Sequence, residues 1–283
     1  MQVQCLQEEK KTGFDTYSKI IFKNRDHGGI TAIAYGIMGS GKTTLLLRLA
    51  EKMVDQGEKV IWRGMTSCQW FYSPIPVNLI LPRNFNAILT LIDEKRDRKI
   101  DEYDARDAVG QLVERVSFYT SIEDVYRKVR KNYLNTVYFL DKYDWLPFFE
   151  FLNRRKDVNW ISIFLDEVHN IFPSHTSGED WHRCKDAADY IAEFRKNFIS
   201  LYIASHDYRD VDHRILFRIN FWIYLKGAEP PRWSKVKNFI KTRGRGIVEE
   251  RGGDWQHFKF QEIKRQPYVL KIDFEVPLPP SPE

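Results

Sequence analysis

The chain has 283 residues, 43% of them hydrophobic and 14% aromatic, which is ample apolar material for a buried core and excludes wholesale disorder. Its three cysteines, Cys5, Cys68 and Cys184, form no C-x-x-C pair, so no disulfide framework is expected and a reducing, cytoplasmic setting is predicted. The net charge of +5 is mild but uneven, because Arg232 to Arg265 alone carries ten Lys/Arg against four Asp/Glu.

Residues 1–29 read as a polar N-terminal extension, with Ile20-Ile21-Phe22 a candidate added strand or clasp and Gly28-Gly29 a break. Ile30 to Tyr35 (ITAIAY) is a short apolar run of buried-strand type. The next eight residues, Gly36-Ile37-Met38-Gly39-Ser40-Gly41-Lys42-Thr43, match G-x-x-x-x-G-K-[ST], and Thr44 to Gln56 then sets Leu45, Leu49 and Met53 at helical spacing before Gly57. Strand, glycine loop and helix is the context a phosphate cradle needs. Inward-turned backbone N–H groups require glycine angles, and the helix N-terminus favours an anion. Gly36, Gly39, Ser40, Gly41, Lys42, Thr43 and Thr44 are therefore the candidate nucleotide contacts, Lys42 for the β- and γ-phosphates and Thr43 as a Mg²⁺ ligand.

Lys59 to Trp62 (KVIW) reads as a second strand, and Cys68 to Tyr72 as a loop before Pro74 and Pro76, its rings free to stack on bases or to pack beneath the loop. Ala87 to Ile92 is strand-like, and the mixed charges of Asp93 to Asp107 suit a solvated helix face or a surface excursion. Strands are expected at Arg115 to Tyr119 and Thr136 to Leu140, with Ser121 and Asp124 opening a helix to about Lys131. Trp145 to Arg155 reads as an amphipathic helix, Trp160 to Leu165 (WISIFL) as a central strand covered on both faces, and Asp180 to about Asn197 as a helix. The strands Ile199 to Ala204 and Asn220 to Leu225 flank a short helix at Asp210 to Phe217. This alternation predicts an α/β fold with a mostly parallel sheet and helices on both faces. The segments Ile247 to Glu250 and Trp255 to Phe260 read as a β-hairpin, and Pro277 to Glu283 as a disordered tail. The expected division is an extension at 1–29, a core at 30–227, a basic hairpin appendage at 228–276 and the tail at 277–283.

The second chemical element is Asp166-Glu167 at the end of the WISIFL strand. Carboxyl ends of strands in such sheets face the ligand crevice, so Asp166 is the candidate for Mg²⁺, held through water, and Glu167 for the base that activates the attacking water. With no N-K-x-D guanine reader in the chain, ATP is the expected nucleotide. His206, at the next strand end, is either a γ-phosphate sensor or a turn residue bonded near Asp207. His169, His175, His182 and Cys184 fit no common zinc spacing.

The order of phosphate loop, Leu165-Asp166-Glu167, a helix ending at Arg195, LYIASH and DYRDVDHRILFRINFWIYL resembles the FtsK/HerA superfamily of DNA-pumping ATPases. Within it the closest likeness is to small viral genome-packaging ATPases and to zonula-occludens-toxin-like assembly ATPases of filamentous phages. The resemblance covers Ile30 to Leu225. It implies a RecA-like core of the additional-strand, catalytic-glutamate branch, ATP and Mg²⁺ as cofactors, and a hexameric ring of identical chains. Double-stranded DNA and a capsid or virion protein are the further partners it implies, in the host cytoplasm for a viral chain. Those families commonly end the sensor strand in Thr-Gln or Ser-Gln, where this chain has Ser205-His206. A ring motor also takes an arginine from the neighbouring subunit, and Arg195 matches a basic position in related sequences, with Arg214 and Arg218 as alternatives. Lys235, Lys237, Lys241, Arg243 and Arg245, interleaved with Trp233 and Phe239, are the candidate DNA contacts or else a solvated or subunit-contact face. The expected function is an ATP-driven translocase packaging a viral genome. Its alternatives are a virion-extrusion ATPase that does not grip DNA and a nucleotide-gated oligomerisation module.

Overall fold

The computed structural model describes residues 28–157, 159–237, 239–263 and 267–275. The expectations for Ile20 to Phe22 and for the tail at 277–283 lie outside them. Eight parallel strands make the body of the main sheet: β1 (Thr31–Tyr35), β2 (Lys59–Arg63), β3 (Val77–Pro82), β6 (Arg115–Tyr119), β7 (Leu134–Val137), β8 (Ile161–Leu165), β9 (Ile199–Ser205) and β10 (Phe221–Tyr224). The antiparallel strands β11 (Arg245–Glu250) and β12 (Trp255–Lys259) complete it, in the order β12-β11-β10-β1-β9-β8-β2-β7-β3-β6. A second sheet of three antiparallel strands pairs β13 (Tyr268–Glu275) with β4 (Asn86–Asp93) and β4 with β5 (Arg98–Asp104). The main sheet, mostly parallel with flanking helices, is that of a RecA-like P-loop NTPase fold.

Every residue of β1, β8 and β9 is buried, as a parallel strand covered on both faces requires. Alternate residues serve opposite layers. Ala32 and Ala34 face helix α1 (Lys42–Asp55), whose Leu45, Leu46, Leu49 and Met53 pack on that side with Trp62, Phe164 and Tyr202. Ile33 and Tyr35 face the layer that holds α3 (Trp145–Arg154) and α4 (Gly178–Phe194), through Phe148, Phe149, Ile191 and Phe194. The helices α2 (Ile122–Lys128) and α5 (His213–Leu216) add Val125 and Ile215 to the same layer. Ser121 caps α2 by accepting from the Asp124 N–H at 3.3 Å, so the capping signal in the sequence has its expected partner.

Four elements differ from expectation. Val77–Pro82 is a buried strand, read over because Pro74, Pro76 and Pro82 punctuate it. The charged run at 93–107 is no helix; Arg98–Asp104 is an edge strand, charged because most of it faces solvent. The hairpin of β11 and β12 does not stand apart as an appendage but extends the main sheet beyond β10. Tyr268–Glu275, for which no element was expected, pairs with β4 over eight residues and ties the C-terminal part of the chain to the middle.

Candidate active site

β1 and β8 are separated in the sheet by β9, so the phosphate loop, Asp166-Glu167 and Ser205-His206 leave three adjacent strands at the same edge. The parallel arrangement puts all three exits at the carboxyl side, where ligands of such sheets bind. The loop's glycines have distinct reasons. Gly39 and Gly41 have φ of 72° and 99°, in the left-handed region, and a Cβ at Gly36 would fall 2.8 Å from the Lys226 carbonyl oxygen. The loop is anchored by the Ile37 N–H donating to that same carbonyl at 3.1 Å.

Three observations bear on whether these residues fit a phosphate chain. The N-terminus of α1 has no side-chain cap and no acidic residue in its own first turn, so its first amides are left for an acceptor from outside the helix. The Ser40 hydroxyl is buried without a hydrogen-bond partner. Lys42 is 7% exposed, and its ammonium donates to the carbonyls of Gly36 at 2.7 Å and Ile37 at 3.1 Å. Burial lowers its pKa, with the charges of Asp166 and Glu167 opposing that effect.

The Thr43 hydroxyl donates to Asp166 Oδ2 at 2.6 Å, which brings the two expected Mg²⁺ residues together across the sheet. Asp166 is 1% exposed; burial pushes its carboxyl above the usual range, while the bonds from Thr43 and from the Glu167 N–H pull it back. A hydroxyl and a carboxylate form an all-oxygen donor pair suited to a hard cation. Among the described residues no group of three or more His, Cys, Asp or Glu could hold a metal by itself. The Thr43–Asp166 pair fits Mg²⁺, which takes one or two protein ligands and completes its shell with water and substrate phosphates.

His206 joins the two halves. Its Nδ1 lies 3.1 Å from Lys42 Nζ and its Nε2 lies 3.8 Å from Glu167 Oε1. An ammonium only donates, so Nδ1 is the acceptor and Nε2 carries the proton that faces Glu167. Glu167 Oε2 accepts from Asn170 Nδ2 at 3.3 Å, and the residue itself has left-handed backbone angles, φ 48° and ψ 51°. For a residue with a side chain that conformation costs roughly 1–2 kcal/mol. Ser205 turns the other way, its hydroxyl donating to the Asp207 carbonyl at 2.8 Å.

A cavity of about 790 Å³ continues from this cluster over α1. Its far end is lined by Gln69, Tyr72, Glu94, Glu262, Ile263 and Val269; of these only Tyr72 was among the rings considered for stacking on bases, and none was expected at the nucleotide. They come from the turn after β2, the β4–β5 hairpin and the segments on either side of residues 264–266, and no local motif marks them. The Phe260 ring lies 3.1 Å from where a Cβ at Gly41 would be, so the C-terminal segment packs directly on the phosphate loop. Arg243 also lines the cavity, 3.7 Å from Glu262, which sets it apart from the rest of the basic tract.

The other cations of that tract face outward. From Ser234 to Lys241 the described residues alternate, Ser234, Val236 and Ile240 buried and Lys235, Lys237, Phe239 and Lys241 exposed; Arg245 is exposed at the start of β11. The buried Glu249 carboxylate docks the segment by accepting from the Ser234 hydroxyl at 2.6 Å and the Lys235 N–H at 2.8 Å. Lys235 and Lys237 spend a donor each on the carbonyls of Gly253 and Ser234, both at 3.1 Å.

The arginines considered for a neighbouring subunit lie apart from this cavity's lining residues. Arg195 follows α4 on the opposite side of the sheet, where its carbonyl accepts from the Gly29 N–H at 3.0 Å. Arg214 is paired with Asp212, at 2.6 Å, and stacks over the Trp181 ring at 4.6 Å. Arg218 is exposed, 3.6 Å from Asp189.

No protein-family profile matches the chain, and no curated protein matches it. Among solved structures, the genome packaging NTPase B204 from Sulfolobus turreted icosahedral virus 2 with sulfate aligns at a TM-score of 0.50 and 13% identity. The alignment covers 83% of this chain and 98% of that one. The same protein with ATP-gammaS aligns at 0.49 and 12%, over 82% and 98%. The N-terminal domain of zonular occludens toxin from Neisseria meningitidis aligns at 0.39 and 10%, over 83% and 95%. The first of these shows a shared fold, that of a P-loop NTPase. Among the described residues no helix is long and apolar enough to cross a membrane.

Proposed function

We propose that the chain is a Mg²⁺-dependent ATPase of the FtsK/HerA type that drives double-stranded DNA, as the packaging motor of a viral genome. The observation that carries the ATPase reading is the convergence of Lys42, Thr43, Asp166, Glu167 and His206 on one end of one cavity, beside a helix N-terminus with no cap of its own. A bound Mg²⁺, held by Thr43 and through water by Asp166, would neutralise charge on the β- and γ-phosphate oxygens.

The chain's own residues supply the remainder. Gly39, Gly41 and Thr44 line the cradle, while Gly36 and Ser40 shape the loop behind it, the Ser40 N–H bonded to the Ile37 carbonyl at 3.1 Å and its hydroxyl unpartnered. Lys42 leaves the two loop carbonyls for the phosphates, an exchange of one set of oxygens for a more highly charged one. Glu167 orients the attacking water and takes its proton. His206 loses the Lys42 contact when the lysine moves and keeps Nε2–H toward Glu167, so phosphate occupancy is communicated to the base. In a ring of identical chains, the further positive charge comes from a neighbour, with Arg195 the first candidate.

The same reading makes Lys235, Lys237, Lys241 and Arg245 the cations that meet DNA phosphates, with Arg243 assigned to the nucleotide cavity instead. That diversion of Arg243, and the carbonyl bonds of Lys235 and Lys237, favour as second reading a virion-assembly ATPase that contacts capsid or virion protein without gripping DNA. Steady-state ATPase assays with and without duplex DNA separate the two. Stimulation by duplex, abolished in Lys42→Ala, is expected of the motor; equal turnover with and without DNA selects the assembly enzyme.

A further inference from the structure

Glu167 sits in a strained backbone conformation, and something must hold it there. Its own turn supplies one restraint, the Asn170 N–H donating to the Glu167 carbonyl at 3.0 Å, and a second comes from outside the turn. β2 ends at Arg63 beside β8, with Trp62 opposite Phe164, and the Arg63 side chain reaches past the end of β8. Its Nη1 donates to the Asp166 carbonyl at 2.8 Å and to the Glu167 carbonyl at 3.1 Å. A guanidinium beside two carboxylates ordinarily pairs with one of them. Here these two bonds go to the main chain, while Asp166 accepts from Thr43 and the Glu167 N–H, and Glu167 faces Asn170 and His206.

The chain that carries the guanidinium is itself fixed. The Gly64 N–H donates to the Val137 carbonyl at 2.7 Å, and a Cβ at Gly64 would fall 2.5 Å from the Tyr138 ring, so the exit of β2 is pressed against β7. Burial lowers the Arg63 pKa, and the charges of Asp166 and Glu167 act against it, so the group is held in the low-dielectric floor of the site.

We propose that Arg63 is a positioning residue: by clamping the two consecutive carbonyls of Asp166 and Glu167 it holds Glu167 in its left-handed turn and thereby aims the carboxylate at the water-binding end of the cavity. Arg63 is not among the residues that line the cavity and acts through Glu167. The inference rests on the ATPase reading for its consequence, and on the two hydrogen bonds for its mechanism.

The test uses the full chain carrying Arg63→Met or Arg63→Lys, alone and with Glu167→Gln. Hydrogen–deuterium exchange of the segment 165–171 is expected to quicken about tenfold in Arg63→Met while the phosphate loop and the binding of an ATP analogue stay unchanged. Misaiming the base should lower kcat about tenfold to a hundredfold with KM unaltered, and Arg63→Lys, able to reach one carbonyl, should recover part of the loss. Added to Glu167→Gln, Arg63→Met should cost nothing more, because both act through one carboxylate. Unchanged exchange overturns the clamp. Faster exchange with an unchanged kcat, or a loss that multiplies with Glu167→Gln, overturns the positioning role. If the wild-type chain hydrolyses no ATP, the proposed function fails, and the exchange result still decides whether Arg63 holds the turn.

Discussion

The two ends of the cavity were built in different ways. At the phosphate end, eight consecutive residues and two strand exits bring Lys42, Thr43, Asp166, Glu167 and His206 within bonding range of one another. At the far end, the walls come from Gln69, Tyr72, Glu94, Arg243, Ile263 and Val269, which no sequence spacing relates. The lesson is that groups performing chemistry are held by regular elements with few degrees of freedom, whereas a wall that only has to cover a ligand can be assembled from whatever segments the fold brings past it.

If that contrast is right, substitutions at the two ends will differ in kind as well as size. Lys42→Ala should reduce kcat/KM for ATP by on the order of 10³-fold, since it removes charge stabilisation in a partly buried site; a loss below tenfold would separate the lysine from the chemistry. His206→Ala should lower kcat by about tenfold to a hundredfold, the value of a hydrogen bond to a charged group. His206→Gln, whose amide oxygen can accept from Lys42 in place of Nδ1, should recover most of it. At the far end, Tyr72→Ala and Ile263→Ala should each weaken nucleotide binding only about fivefold, from lost apolar contact, and leave inorganic tripolyphosphate binding untouched. Fluorescence titration with both ligands checks this, and an equal effect on tripolyphosphate would erase the distinction between the ends. The smallest effect is expected outside the cavity. Lys235→Ala should reduce the salt dependence of duplex binding by about one unit of slope, and Arg243→Ala should leave that slope alone.

The same contrast explains what could be read from the residues. The run ITAIAY, the glycine loop and the LLLRLA helix signal one another within some twenty-five positions, and WISIFL followed by Asp166-Glu167 is equally compact, so the sheet's centre and the phosphate end were legible. β3 was hidden because Pro74 and Pro76 before it and Pro82 at its end suit a strand only in places that spacing cannot identify, and β5 because an edge strand facing solvent is charged on both faces. β13 did carry a signal: Leu270, Ile272 and Phe274 alternate with Lys271, Asp273 and Glu275, a period of two that marks a half-buried strand. Arg243 had no comparable mark. Its place at the cavity depends on β11 and β12 extending the main sheet and on Phe260 lying against Gly41, contacts between segments far apart in the chain. Arg63 was equally silent, since one arginine at a strand end says nothing until its neighbour's carbonyls are located.

Under the proposed function Glu167 is the base of an ATP-hydrolysing site whose cradle is complete without it. The most direct test is to measure ATP affinity and single-turnover hydrolysis of Glu167→Gln beside the wild type, with Mg²⁺ present. Affinity within about twofold and hydrolysis slower by about 10² to 10⁴ would meet the prediction, with intact ATP recovered from the protein. Hydrolysis at the wild-type rate, or loss of ATP binding in proportion to the loss of turnover, would contradict it.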